Sequence, residues 1–169
     1  LDGLSRNVQK IRCSPGGYFR PRRPARRLLY LLEPIRVPWI CRSDVPSEPG
    51  EFQGLRYWLK QLPSLIDQGF VAPIHQLEGL LLRPHPSEPV GKYDSLVAEH
   101  SVDWPISLDP SPELSDSLAW ADAAFGCETQ ALVAAMACDL PAFSTIPSWA
   151  PPCRLPQASL KHLSLLEGI

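Results

Sequence analysis

Three short stretches hold the residues best suited to chemistry. The first is Arg83-Pro84-His85-Pro86-Ser87-Glu88, which presents a guanidinium, an imidazole and a hydroxyl in succession. Prolines on either side of His85 preset much of the backbone there. Arginine and histidine both suit phosphate oxygens, through charge-assisted hydrogen bonds. The second is Phe125-Gly126-Cys127-Glu128-Thr129, just before an alanine-rich run. Gly126 permits a positive φ or a close backbone approach. The free amides of a helix start, with the macrodipole behind them, favour an anion. Thr129 adds a hydroxyl, and Glu128, which phosphate would repel, suits a ribose or sugar diol. The third runs from Ser144 to Pro152, where Trp149 sits among prolines and could stack on a base or sugar, or cap the edge of the core. Each stretch also has a plain structural reading. The first would be a surface loop, and the second a strand–turn–helix junction whose glutamate steadies the first turn.

Other chemistries lack their residues. There is no Walker A lysine and no GxGxxG. His75, His100 and His162 read as a loop, a helix end and a helix position, and no catalytic triad can be assembled around them. Asp122 precedes a strand and reads as structural. The five cysteines, Cys13, Cys41, Cys127, Cys138 and Cys153, are odd in number and widely spaced, with no CxxC pair. That spacing fits no zinc site and reads as reduced thiols of a cytosolic protein. No metal site is expected.

The elements that position these stretches follow from hydrophobic patterning. Residues 28–32 form an apolar run of strand length, stopped by Glu33-Pro34. Residues 38–50 are rich in proline and turn formers and read as a loop. Over residues 51–62, Phe52, Leu55, Trp58, Leu59 and Leu62 share one helical face, and Pro63 either closes that helix or starts a second. Residues 79–82 read as a strand. A helix is expected from the Ser87 region to about His100, with Tyr93, Leu96 and Val97 inward. A short strand is expected within 102–108, despite Pro105. Ser111-Pro112-Glu113 has the signature of a helix start, with Leu114, Leu118 and Ala119 following. Residues 121–125 form a brief strand, and 128–138 the best helix, packing through Leu132, Val133 and Met136. A strand over 141–145, a proline-rich loop and a helix over 157–166 with Leu160, Leu163 and Leu166 complete the pattern. Strands alternating with helices predict a Rossmann-like α/β domain, a parallel sheet with helices on both faces. Ligands of such sheets bind outside the carboxyl ends of the strands, where the first two stretches fall.

Composition sets the frame. A chain of 169 residues, 44% hydrophobic and 20% charged, can bury one core. No window approaches 18 uninterrupted apolar residues, and no signal-peptide pattern opens the chain. Twenty prolines, more than twice the usual share of about 5%, exclude a long-helix bundle. The net charge of −2 conceals an asymmetry: residues 1–42 carry ten basic against two acidic residues, a net of +8, which leaves −10 for the rest. Residues 1–27 therefore read as a basic, irregular arm or interdomain segment, with the globular unit spanning 28–169. Such an arm suits anionic lipid or a partner at the inner face of a membrane, or acts as a solubilising segment. Aromatic residues do not interleave regularly with its arginines, so nucleic acid is not the expected partner. The chain begins at Leu1 with Met136 as its only methionine, from which a piece of a larger protein is expected.

The order Leu82-Arg83-Pro84-His85-Pro86-Ser87-Glu88, Lys92-Tyr93-Asp94, then Ala121 to Thr129 and Ala131-Leu132 resembles the C-terminal half of GT-B glycosyltransferases. It is most similar to bacterial surface-carbohydrate enzymes, including sialyltransferase-like ones with a His-Pro motif, and the likeness covers roughly residues 28–166. It implies a domain that binds a nucleotide-sugar as substrate, with no separate cofactor. His85 would meet the donor phosphate, with Arg83 and Ser87 beside it, and Gly126, Cys127, Glu128 and Thr129 would hold phosphate or ribose. Transfer to a glycan acceptor would be metal-independent, with protein groups stabilising the leaving group. The acceptor site and base would lie on another domain, so no catalytic residue is assigned. The order and spacing also resemble non-hydrolysing sugar-nucleotide epimerases, and a non-catalytic α/β binding module is the alternative of a different class.

Overall fold

In the computed structural model, residues 23–39, 43, 44 and 47–167 are described. Cys13, Cys41 and most of the basic arm lie outside them. Among the described residues six strands form one parallel sheet: β1 (Arg27–Leu31), β2 (Gly79–Arg83), β3 (Ile106–Leu108), β4 (Ala123–Gly126), β5 (Ala142–Ser144) and β6 (Lys161–His162). Their order is β3-β2-β1-β4-β5-β6, so from β1 at the centre the backbone builds outward to β3, crosses back and builds the other half. Four helices connect them: α1 (Gly50–Asp67), α2 (Asp94–His100), α3 (Leu114–Trp120) and α4 (Gln130–Ala137). This is a Rossmann-like α/β fold.

Side-chain alternation along β1 divides the core. Leu28 and Tyr30 join Leu55, Trp58, Leu62 and Leu65 of α1 and Tyr93 and Leu96 beside α2. Leu29 and Leu31 join Leu118 of α3 and Leu132 and Ala135 of α4. A strand buried on both faces must be apolar throughout, and Leu28-Leu29-Tyr30-Leu31 meets that need. The first face is bound by a chain of rings, Tyr30–Trp58 at 4.9 Å, Trp58–Phe125 at 5.1 Å and Phe125–Phe143 stacked at 4.9 Å. Gly54 lets α1 press down on that face: a Cβ there would lie 2.7 Å from the Cys127 sulfur.

The structure departs from expectation in four places. α1 runs through Pro63 to Asp67, because Leu65, fully buried on the same face, offsets the hydrogen bond that proline cannot make. The helix expected from the Ser87 region begins only at Asp94, since Pro86, Pro89 and Gly91 hold the stretch before it in turns. On α3 the buried positions are Ser117 and Leu118, while Ala119 is exposed. The helix expected over 157–166 does not form. Leu160 packs on the α4 face and Leu163 on the α1 face, a division that extended backbone achieves and a helix cannot. Residues 161–162 instead pair with β5 and a 3₁₀ turn follows, so His162 sits on a strand. No helix among the described residues is long and apolar enough to cross a membrane.

Candidate functional site

The strand order reverses between β1 and β4, so the connections after those two strands diverge and leave a crevice outside their carboxyl ends. A cavity of about 370 Å³ opens beside it, lined by Leu31 and Leu32 at the end of β1, Arg83 to Pro86 at the end of β2, Leu114 of α3, and Thr129, Gln130, Ala131 and Ala134 at the start of α4. The loop after β1 does not offer its own helix start to a ligand. The first amides of α1 are consumed locally, Gly50 N–H on Val37 O and Glu51 N–H on Ile35 O. The start of α4 is the one that meets the cavity. Thr129 caps it, its Oγ1 accepting the Ala131 N–H at 3.3 Å.

His85 and Thr129, distant in sequence, line this same cavity, with Arg83 beside them. His85 is exposed, and Pro86 takes the second position of a turn closed by the Glu88 N–H on His85 O at 2.9 Å. The His85 Nδ1 lies 2.7 Å from Ser87 Oγ and 3.2 Å from the Ser87 amide. The loop is anchored from behind. Lys92 joins Glu88 to Glu51, a buried residue in the first turn of α1, and Tyr93 OH donates to Glu51 at 3.1 Å. Arg36 reaches Glu88 at 3.0 Å. Burial alone would lower the Lys92 ammonium, but the two carboxylates outweigh it and raise it.

Arg83 has other work. Its Nη1 donates to Asp109 Oδ2 at 2.9 Å, Ser117 Oγ at 2.9 Å and Ser111 O at 2.8 Å, and Nη2 to Pro112 O at 3.1 Å. It latches the β3–α3 connection to the end of β2, an arrangement that supports a structural role rather than a phosphate contact. Burial would raise the Asp109 carboxyl, but Ser117, the Ser111 amide and Arg83 together hold it below its usual range.

The turn after β4 is divided in the same way. Gly126 is required by packing, since a Cβ would lie 2.8 Å from Leu31 O. Cys127 is buried, its sulfur 3.7 Å from both Tyr30 OH and Thr145 Oγ1. Burial first, and Glu33 second, push its thiol up to about 12, which leaves it protonated and unreactive near neutral pH. The Glu128 carboxylate is held by Arg154 through its amide at 3.0 Å, Nε at 3.1 Å and Nη2 at 2.6 Å. That pairing outweighs burial and lowers the Glu128 carboxyl, and it ties the proline-rich loop to the α4 turn. The diol contact expected of Glu128 therefore competes with Arg154. In that loop Trp149 meets Trp39 edge-on at 6.4 Å, both half-buried.

Glu33, which in the sequence only stops the first apolar run, stands two residues beyond β1. Its Oε1 accepts the Glu128 N–H at 2.6 Å, at the point where the strand order reverses. Burial raises its carboxyl, partly offset by that hydrogen bond, and Glu128 adds to the rise. The available signal was position alone: it is the first charged residue beyond the central strand.

A larger concavity, about 530 Å³, lies at the opposite end of the sheet among Arg23, Arg26, Arg27, Glu78, Asp122 and Asp139. Its three cations face three carboxylates, and Asp122 accepts the Arg26 and Arg27 amides at 2.9 and 3.0 Å, a structural task as expected. The smaller cavity has the better chemistry, because His85 and a capped helix start converge on it. Among the described residues no group of three or more His, Cys, Asp or Glu is placed to hold a metal ion. No family model, curated protein or solved structure matches the chain.

Proposed function

We propose that this domain binds the nucleotide of an activated sugar, as the donor-binding part of a GT-B-type glycosyltransferase acting in surface polysaccharide synthesis. The observation that carries the reading is the convergence of the His85 loop and the α4 start on one cavity at the carboxyl edge of a sheet with the order β3-β2-β1-β4-β5-β6. Sheets of this order bind nucleotides at that edge, with phosphate at a helix start. In this reading the ring of His85 and the first turn of α4 share the phosphate charge, and Leu31, Leu32 and Leu114 exclude water around it. The leaving nucleoside phosphate is then stabilised by donors fixed before the reaction begins. Arg83 and Glu128 serve by holding the surrounding loops. A second domain would bring the glycan acceptor and the base.

Calorimetric titration with UDP and CMP tests this. Loss of a hydrogen bond to a charged phosphate in His85→Ala is expected to weaken binding about 10- to 100-fold. Equal affinity of His85→Ala and wild type for both nucleotides overturns the reading.

A further inference from the structure

We propose that Ser87 is a positioning residue that fixes His85 as a neutral imidazole with its proton on Nε2, so that the site meets its anion with one uncharged N–H donor. The functional consequence rests on the reading of the carboxyl-edge cavity as a phosphate site, whereas the tautomer itself follows from the loop alone. A backbone N–H can only donate. The Ser87 amide points at His85 Nδ1 from 3.2 Å, so Nδ1 is the acceptor and carries a lone pair rather than a proton. Ser87 Oγ, 2.7 Å from the same nitrogen, then donates its hydroxyl proton there too. A neutral imidazole carries one N–H, which leaves it on Nε2.

The backbone explains why the amide stands where it does. Pro86 sets the second position of the turn that the Glu88 N–H closes on His85 O, and this folds the Ser87 amide back over the imidazole of its own loop. Glu88 is in turn held by Lys92 and Arg36, so the turn is fixed to the body of the domain. Three consequences follow for the chemistry. With Nδ1 engaged and Nε2 protonated, the ring has no lone pair free to take a proton, so it does not serve as a base in this state. It offers a hydrogen bond to an oxygen acceptor such as a phosphoryl oxygen. It also does so without the charge of an imidazolium, so the α4 dipole supplies the remaining stabilisation of the anion.

The test is the long-range ¹H–¹⁵N correlation spectrum of the full chain labelled at histidine nitrogens, with the His85 signals identified by their loss in His85→Gln. The wild type is expected to show the proton on Nε2 and a hydrogen-bonded, unprotonated Nδ1. Ser87→Ala removes one of the two donors and is expected to raise the Nδ1–H fraction about three- to tenfold, with Ser87→Thr restoring the wild-type spectrum. In UDP titrations, His85→Gln places an uncharged NH₂ near the position of Nε2 and is expected to bind within about threefold of wild type. His85→Asn, whose amide reaches only the Nδ1 position, is expected to lose about tenfold or more. A wild-type proton on Nδ1, or a His85 spectrum unmoved by Ser87→Ala, overturns the proposal. An Nε2–H spectrum that responds to Ser87→Ala, in a protein that binds no nucleotide, upholds the positioning role and overturns the phosphate reading instead.

Discussion

Replacing Arg83 by methionine separates two roles that one guanidinium could play. Methionine keeps an apolar stem but strips four hydrogen bonds, to Asp109, Ser117, Ser111 O and Pro112 O. The Asp109 side chain is covered and Arg83 is 16% exposed, so the pair is close to the buried limit. Removing one partner of a fully buried pair costs about 3–5 kcal/mol. Here the Ser117 hydroxyl and the Ser111 amide still serve the carboxylate, and the expected loss is about 2–3 kcal/mol. For a domain of this size that lowers Tm by roughly 5–10 °C. The sign of the pH dependence follows from Asp109. Its carboxyl is held below its usual value in the folded state, so its stabilisation is present above the unfolded value of about 3.9 and fades as pH falls through the folded one. The gap between wild type and variant should therefore be full at pH 7.5 and narrow below about pH 4. Differential scanning calorimetry at both pH values reads the stability, and a UDP titration well below the melting range reads the site. The latch requires a large drop in Tm with UDP affinity within about threefold of wild type. An unchanged Tm with a loss of more than about tenfold in UDP affinity refutes it and makes Arg83 a ligand contact.

Three further perturbations probe the same edge. Gly126→Ala forces a methyl to within 2.8 Å of a backbone oxygen and should cost about 1–3 kcal/mol, read as a lower urea midpoint at unchanged slope; wild-type stability would refute the close approach. Native alkylation at pH 8 followed by peptide mapping should label exposed Cys138 and spare Cys127, whose thiol is buried and raised, and prompt labelling of Cys127 would contradict that burial. Glu33 has a raised folded-state carboxyl, so its stabilisation is present below the unfolded value and lost as pH rises through the folded one. Glu33→Gln keeps an acceptor for the Glu128 amide without the charge. It should gain on wild type as pH rises from 4 to 8, and a constant difference in urea midpoint across that range would refute the assignment.

Elements were legible in the sequence wherever local pattern decides them. Leu28 to Leu31 could be little but a buried strand, and the alanine-rich run after Thr129 could be little but a helix. The 157–166 segment misled because Leu160, Leu163 and Leu166 share a helical spacing, while the sheet edge offered by β5 claimed the backbone and sent two of the leucines to opposite cores. The site was legible by residue type and illegible by pairing. Arg83 has the chemistry of a phosphate ligand, but Asp109, 26 positions on, takes its guanidinium. Glu128 has the chemistry of a diol ligand, but Arg154 takes its carboxylate. Glu33 gains its interest only from an amide 95 positions away. Sequence patterning records which groups are present, and the three-dimensional fold decides which of them remain available.

The central placement of β1 has a consequence for how the chain acquires its structure. Leu28 pairs with Leu80 on one side and with Ala123 on the other, so β1 is completed by a strand made nearly a hundred residues later. Loop closure over such spans is slow, and β-structure built from distant pairings forms late. Any nascent chain that ends before Gly126 leaves its most apolar strand with an open edge, a template for pairing with other chains. The demand falls on synthesis rather than on the finished molecule: the interval between residues 31 and 126 is when this protein most needs to be kept from its own copies.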